Sequence, residues 1–319
     1  MVAGIASLIS TKALQMVTTT LILLSLARPS LCQRRELELV EAPAGDQLTY
    51  HGGAVLSGDI PVFIVWYGSF SAEQKAIVVD FIESLTSKPH SATPSVAQWW
   101  STIHNVYLST STATGGGDTR ILLASQASDE QYSLGKSLTL DQVFQLAAGA
   151  GPRKGGLVLV LTDPGVVVDG FGSVRCGLHG ADAGAGYAYA WAGDAKRQCP
   201  GQCAWPFAKP SYGPQDKPLG APNGDVGVDG MMVTLASMVA GAVTNPFRDA
   251  YYQGEKDAAL EACTACAGVY GSGSYPGYAG DVLVDKDTGG SYNAIGAGGH
   301  KYLLPAVYDT GKPGCSTLV

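Results

Sequence analysis

The residues of this chain that could do chemistry are its cysteines, a pair of aspartates and many aromatic rings, because the usual catalytic motifs are missing. No two histidines have the one-turn spacing, with a glutamate, that binds zinc and activates water in hydrolases. The sequence also has no G-x-S-x-G nucleophile elbow, no P-loop and no dinucleotide-binding fingerprint. We therefore predict no catalytic residue, metal ligand or cofactor, which favours a non-enzymatic protein while leaving enzymatic activity an open question.

Six of the seven cysteines lie in the C-terminal half of the chain. Their short spacings, as in "CPGQC" and "CTAC", would suggest a structural zinc site in a cytosolic protein. In a secreted protein, an even number of cysteines favours disulfides instead. We predict the second case, and the disulfide candidates are Cys176, Cys199, Cys203, Cys263, Cys266 and Cys315.

The segment "NGDVGVDG" places Asp225 and Asp229 four residues apart, where a long apolar helix is predicted to begin. Acidic residues at a helix N-terminus cap the free N–H groups and interact favourably with the helix dipole. The alternatives are a pair of catalytic carboxylates, as in glycosidases, or a calcium site. The helix-capping interpretation is favoured.

Aromatic residues crowd the glycine-rich C-terminal half. Flat rings beside glycines can form a platform for sugar rings, but tyrosines in loop-rich, disulfide-bonded domains also fill a sparse core. Both interpretations stay open. The predicted ligand-binding set consists of these rings and the two aspartates: Trp191, Trp205, Tyr212, Tyr251, Tyr252, Tyr275, Tyr278, Asp225 and Asp229.

The N-terminus predicts secretion. Lys12 precedes a short apolar run, and small residues follow near residue 32, which together indicate a signal peptide over residues 1–32. A membrane anchor is the alternative, but the run is shorter than the roughly 20 apolar residues that a span needs. Residues 33–47 are charged and are predicted to form a flexible leader.

Removing the predicted signal peptide changes the charge and the cysteine count. Lys12 and Arg28 leave, so the net charge of −7 becomes −9, and the loss of Cys32 reduces seven cysteines to six. An acidic chain offers no basic surface for nucleic acid. We therefore expect no nucleic-acid partner and no membrane span in the mature chain.

The elements that must position these residues alternate between strands and helices. "PVFIVWYG" and "GGLVLVLTDPG" are continuous apolar runs, typical of strands buried on both faces. Helical spacing follows the first run, with Ser71 as its N-cap. This order predicts a single α/β domain whose mainly parallel or mixed sheet is flanked by helices, followed by a glycine-, tyrosine- and cysteine-rich half.

Several motifs in order, including "LTYHGGAVLSGDIPVFIVWYGSFS", "QCPGQCAWPF", "APNGDVGVDGM" and "GSYPGYAGDVLVD", closely resemble the plant Exordium-like family, also called the phosphate-induced protein family. The resemblance implies one domain over residues 48–319 and a secreted protein of the apoplast or cell wall. It also implies a role in cell expansion and in growth linked to brassinosteroid and carbon status. The family has no established catalytic residues, so none is carried over.

The segment "SMVAGAVTNP" has a fainter resemblance to a helix of bacterial zinc peptidases that reads roughly H-E-L-A-E-A-V-T-D-P. Ser237, Met238 and Gly241 then stand where the metal-binding and water-activating residues would be. A serine and a methionine cannot bind zinc or activate water in those roles. The resemblance implies a former metal-binding helix that now serves packing.

Together these observations favour a non-catalytic extracellular protein that binds a wall polysaccharide, or an extracellular protein or peptide, through its aromatic half. The alternative is a hydrolase of wall glycans or peptides with an unrecognised site. A purely structural wall protein is a third hypothesis.

Overall fold

The computed structural model describes residues 47–87, 93–109, 118–213 and 217–319. The predicted signal peptide (1–32) and all but the last residue of the predicted leader (33–47) lie outside these ranges.

A five-stranded sheet forms the centre of the fold. Its strands are β1 (Asp59–Tyr67), β2 (Arg120–Asp129), β3 (Leu157–Thr162), β4 (Gly177–Asp182) and β5 (Tyr187–Gly193). The order across the sheet is β2-β1-β3-β5-β4. All neighbouring pairs are parallel except β4 and β5, which are antiparallel. The predicted α/β fold is thus confirmed, with a mixed sheet.

Helices cover both faces of the sheet. They are α1 (Ala72–Leu85), α2 (Val96–Ile103), α3 (Leu140–Gly149), the short α4 (Pro200–Cys203) and α5 (Val226–Thr244). A π-helical turn, His104–Leu108, extends α2. The helices α1, α2 and α3 begin with capping boxes, in which a Ser or Thr side chain and a Gln side chain satisfy each other's backbone N–H groups.

The alternation of side chains along β1 divides the core into two layers. Ile60, Val62 and Ile64 pack in one cluster with residues of α1, α2 and α5. Phe63 and Val65 pack on the opposite face with residues of α3. Because both faces are covered, the continuous apolar run of this strand is explained by burial.

The helix α5 is long and apolar enough to span a membrane, but most of it is buried inside the fold. Leu235, Val239 and Val243 are fully buried against the sheet side of the core. The packing identifies α5 as a core helix, as the sequence predicted.

The remaining structure is built from loops and short two-stranded ladders. The antiparallel ladders pair Thr49–Tyr50 with Tyr251–Tyr252, Leu283–Val284 with Ser291–Tyr292, Ala294–Ile295 with Lys301–Tyr302, and Val307–Asp309 with Gly314–Ser316. Ser137–Leu138 pairs with Val167–Val168 in parallel. Short 3-10 helices cover Lys256–Ala258 and Thr264–Cys266.

Disulfides tie this half together. Cys176 bonds to Cys203, and Cys266 bonds to Cys315. The other two candidates, Cys199 and Cys263, are buried free thiols, so their inclusion among the disulfide candidates was wrong. Cys199 packs with Ala195 and Ala204, whereas Cys263 packs in the main core, so the two thiols lie in different clusters.

Candidate functional site

An aromatic groove of about 290 Å³ lies on the C-terminal half of the fold. Two members of the predicted ligand-binding set, Trp205 and Tyr278, line it. The other lining residues are mostly apolar or proline: Pro206, Ala208, Pro210, Lys217, Pro218, Leu219, Gly277 and Ala279. We call this surface the Trp205–Tyr278 groove.

Trp205 is held in place from two directions. It follows α4, whose last residue, Cys203, is bonded to Cys176. Its ring lies 5.8 Å from that of the buried Tyr270. The indole is therefore fixed at one edge while it remains only partly buried, which suits a rigid binding platform.

Tyr278 lies on a tight hairpin. Its backbone exchanges both hydrogen bonds with Tyr275, and the two rings lie 5.1 Å apart. The hydroxyl of Tyr278 donates to Asp281 Oδ1 at 2.5 Å, and this bond raises the pKa of Tyr278. The phenol is therefore a neutral, oriented group at the rim of the groove.

Other rings of the predicted set lie elsewhere. Trp191 is fully buried, and its Nε1 donates to Thr162 Oγ1 at 3.0 Å. Tyr251 and Tyr252 are also buried, in the ladder with Thr49–Tyr50. These three rings fill the core and are not accessible to a ligand. Tyr275 and Tyr212 are 62% and 63% exposed, but neither lines the groove.

Of the two aspartates at the start of α5, the first caps the helix. Asp225 is its N-cap and accepts from the backbone N–H groups of Gly227 and Val228. Burial alone would raise the pKa of Asp225, but the hydrogen bond from Gln74 and the charge of Lys196 outweigh it and lower the pKa. Helix capping therefore accounts for this carboxylate, as the favoured interpretation predicted.

Asp229 is buried and bonded rather than exposed to a ligand. Its side chain is 2% exposed and accepts from the backbone N–H and the side-chain amide of Asn223. Burial raises the pKa of Asp229 to about 6. Neither aspartate is therefore available to a ligand. The two do not form the converging pair of catalytic carboxylates that the hydrolase hypothesis needs.

The raised pKa of Asp229 predicts an unusual dependence of stability on pH. Because the folded-state pKa of about 6 lies above the unfolded value near 3.9, the folded protein binds this proton more tightly. The resulting stabilisation is complete below about pH 4 and is lost as the pH rises through 6. Measured by urea unfolding, the stability of the wild type relative to Asp229→Asn should fall by about 2–3 kcal/mol between pH 4 and pH 7. A difference that stays constant over this range would contradict the prediction.

Two positions of α5 that align with the metal site of the zinc-peptidase helix, Ser237 and Gly241, make contacts within this fold instead. Ser237 Oγ donates to the carbonyl of Val233, within the helix itself. At Gly241 a Cβ would lie 2.7 Å from His179 Nε2 and 2.6 Å from Glu261 Oε2. The imidazole and the carboxylate therefore occupy the space of a side chain at this position. The described residues contain no cluster of three or more side chains suited to hold a metal ion.

At the carboxyl edge of the parallel strands, where open α/β sheets usually bind ligands, one buried carboxylate is held in an internal network. Asp163, which follows β3, is 5% exposed. It accepts from the backbone N–H groups of Ser69 and Gly165 and from the hydroxyl of Tyr132. The carboxylate is thus fully used in joining loops.

Sequence reasoning missed the proline and aliphatic walls of the groove. The signal was present in "AWPFAKP" and "KPLGAP", where prolines follow Trp205 at short intervals. Proline cannot continue a helix interior or a central strand, so these segments are predicted to be irregular. Tyr278 carries the same signal in "SYPGYAG".

Comparisons with known proteins agree over nearly the whole described chain. A family model described as the Phosphate-induced protein 1 conserved region matches residues 48–318. The chain is 51% identical to Protein PHOSPHATE-INDUCED 1 of Nicotiana tabacum over 306 residues, 93% of this chain and 96% of that protein. It is 53% identical to Protein EXORDIUM of Arabidopsis thaliana over 281 residues, 85% of this chain and 89% of that protein. No solved structure matches the chain significantly.

Proposed function

This chain belongs to the phosphate-induced protein 1 family, which includes the Exordium-like proteins of plants, and from that premise we propose that it is a secreted wall protein that promotes cell expansion by binding a carbohydrate. Its growth role would be linked to brassinosteroid and carbon status. The Trp205–Tyr278 groove is the proposed binding site, and binding without bond cleavage is the proposed activity.

The observation that carries this proposal is the arrangement of the groove. A partly exposed indole and an oriented phenol lie on walls of proline and leucine, and the disulfide Cys176–Cys203 fixes the segment that precedes the indole. Sugar rings present flat C–H faces that pack on aromatic rings, and hydroxyls that bond to a phenol at the rim. Pockets with mostly apolar walls and a few placed polar groups are typical of ligand sites.

The contacts of the two aspartates favour binding over hydrolysis. A glycosidase needs two carboxylates on either side of the scissile bond. Here Asp225 caps α5 and Asp229 bonds to Asn223, so neither reaches the groove lining. We therefore expect bound oligosaccharides to remain intact, which the release of reducing ends would measure.

Replacing Trp205 with alanine tests the proposal. The secreted wild-type protein, titrated calorimetrically with cellohexaose and xylohexaose as neutral probes, should bind at least one of them. Trp205→Ala should lower that affinity at least tenfold, about 1.4 kcal/mol, because the main apolar surface of the groove is lost.

Tyr212→Ala is the matched control, since Tyr212 is an exposed ring that does not line the groove. It should keep the wild-type affinity. The proposal fails if neither probe binds, or if both variants bind as tightly as the wild type.

A further inference from the structure

A second cavity, of about 430 Å³, lies beside the edge strand β4 and the end of α5, outside the Trp205–Tyr278 groove. Its walls combine two arginines, a histidine and two aromatic rings: Arg175, Arg248, His179, Tyr189 and Phe247. The volume is within the range of small-molecule sites. We call it the arginine cavity.

Among the described residues, neither guanidinium group of this cavity takes part in an ion pair. Every ion pair among the described residues uses another cation, namely Arg120, Lys196, Lys301 or a histidine. Arg175 is half-buried, and Arg248 is exposed. Arg248 also has a φ of +61°, a left-handed conformation that costs a non-glycine residue free energy.

A buried polar network supports the floor of the cavity. The side chain of His179 is 8% exposed, and its Nε2 lies 2.6 Å from Glu261 Oε2. The other carboxylate oxygen of Glu261 accepts from Asn245 Nδ2 at 2.7 Å, and Asn245 Oδ1 accepts from the backbone N–H of Ala250. This network fixes the turn that carries Arg248, so the site is preorganised.

The same network leaves one polar atom unused. His179 Nδ1 is buried and has no hydrogen-bond partner among the described residues. Buried polar atoms are nearly always bonded, so an exception calls for an explanation. Because Nδ1 is closed off from solvent, it is a feature of this internal network and not a contact for a ligand in the cavity.

We propose that the arginine cavity binds a sugar acid, in which a carboxylate is held by Arg175 and Arg248 and the sugar ring lies against Tyr189 and Phe247. Arginine forks pair with carboxylates through two parallel hydrogen bonds, which gives both strength and orientation.

The neighbouring charges restrict where the carboxylate can bind. Arg175 and Leu140 are shared with an adjoining cavity that is lined by Asp141 and Asp169. Those two carboxylates repel an anion on their side of Arg175. On the other side, the charge of Glu261 is already engaged by His179 and Asn245. The anionic group is therefore directed towards Arg248, and the neutral part of a longer ligand would extend away from it.

The test is a titration of the full secreted chain with glucuronate, glucose and inorganic phosphate at constant ionic strength. Amide chemical shifts of Gly177–Asp182 report on the cavity. Glucuronate should shift them saturably, while glucose and phosphate should bind at least tenfold more weakly. The double variant Arg175→Gln/Arg248→Gln should lose at least tenfold in affinity, and the single exposed variant Arg248→Glu should lose as much without affecting folding.

Two controls separate this site from other effects. Lys312→Gln removes an exposed charge that lines no cavity described above and should leave the affinity unchanged. Trp205→Ala should also leave the affinity for glucuronate unchanged. A failed proposal for the Trp205–Tyr278 groove can thus be told apart from a failed proposal for the arginine cavity. The proposal is overturned if glucuronate does not bind, if glucose or phosphate binds as tightly, or if the arginine variants bind like the wild type.

Discussion

Replacing Asp80 with alanine is expected to lower the free energy of unfolding by about 3–5 kcal/mol, because it removes the buried acceptor that joins α1 to the C-terminal loops. The Asp80 side chain is 8% exposed. It accepts from the backbone N–H of Gly298 at 2.5 Å, from Tyr302 Oη at 3.0 Å and from His300 Nδ1 at 3.1 Å.

Several donors converge on Asp80. Burial and the charge of Asp80 raise the pKa of Tyr302, so its phenol stays protonated, and its single O–H lies 2.7 Å from the carbonyl oxygen of Ile77 and 3.0 Å from Asp80 Oδ2. A Cβ on Gly296 would overlap Asp80 Oδ2, so the loop is fitted closely around the carboxylate. An alanine at position 80 would leave the N–H of Gly298 and the hydroxyl of Ser84 without this acceptor, while Tyr302 would keep the carbonyl of Ile77.

Asp59→Ala is the matched control, because the Asp59 side chain is 52% exposed in its ion pair with Arg120. Such pairs contribute about 0–1 kcal/mol. Urea unfolding should therefore separate the two variants by at least 2 kcal/mol with similar slopes. Equal urea midpoints for the two variants would show that the Asp80 network contributes no more to the free energy of unfolding than an exposed ion pair.

The sheet and its helices were predictable because their signals are local. The apolar run of β1 and the capping residues Ser71, Ser95 and Thr139 mark the elements within a few residues of the chain. The register of the parallel strands depends on long-range pairing, for which the sequence has no local signal. The reversed direction of β4 follows instead from the short turn, residues 183–186, that joins it to β5.

Burial of the aromatic residues was only partly predictable. Trp191 lies in "GYAYAWAG", which reads as a strand, and a central strand of an α/β sheet is buried on both faces. Its position argued for the core, whereas the prolines around Trp205 indicated only an irregular segment. The disulfide partners were beyond prediction, because Cys266 and Cys315 are brought together only by the folding of the whole C-terminal half.

Replacing Gly271 with alanine is expected to lower the free energy of unfolding by about 2–3 kcal/mol and to abolish carbohydrate binding, because this glycine closes the hairpin that carries Tyr278. A Cβ at position 271 would overlap the backbone carbonyl oxygen of Asp281. The N–H groups of Tyr270 and Gly271 both donate to the carbonyl of Ala279. The two sides of the hairpin would have to separate, and Tyr278 would leave its position opposite Trp205.

Gly273→Ala is the matched control on the same hairpin. Gly273 has a φ of +69° and nothing within 4 Å of its Cβ position, so alanine costs only about 1–2 kcal/mol of backbone strain and displaces no neighbour. Urea unfolding should show a smaller loss for this variant, and calorimetry should show retained affinity for the oligosaccharide that the wild type binds. Because the two changes add the same methyl group, binding that is lost or retained equally in both would show that close backbone approach at Gly271 does not shape the groove.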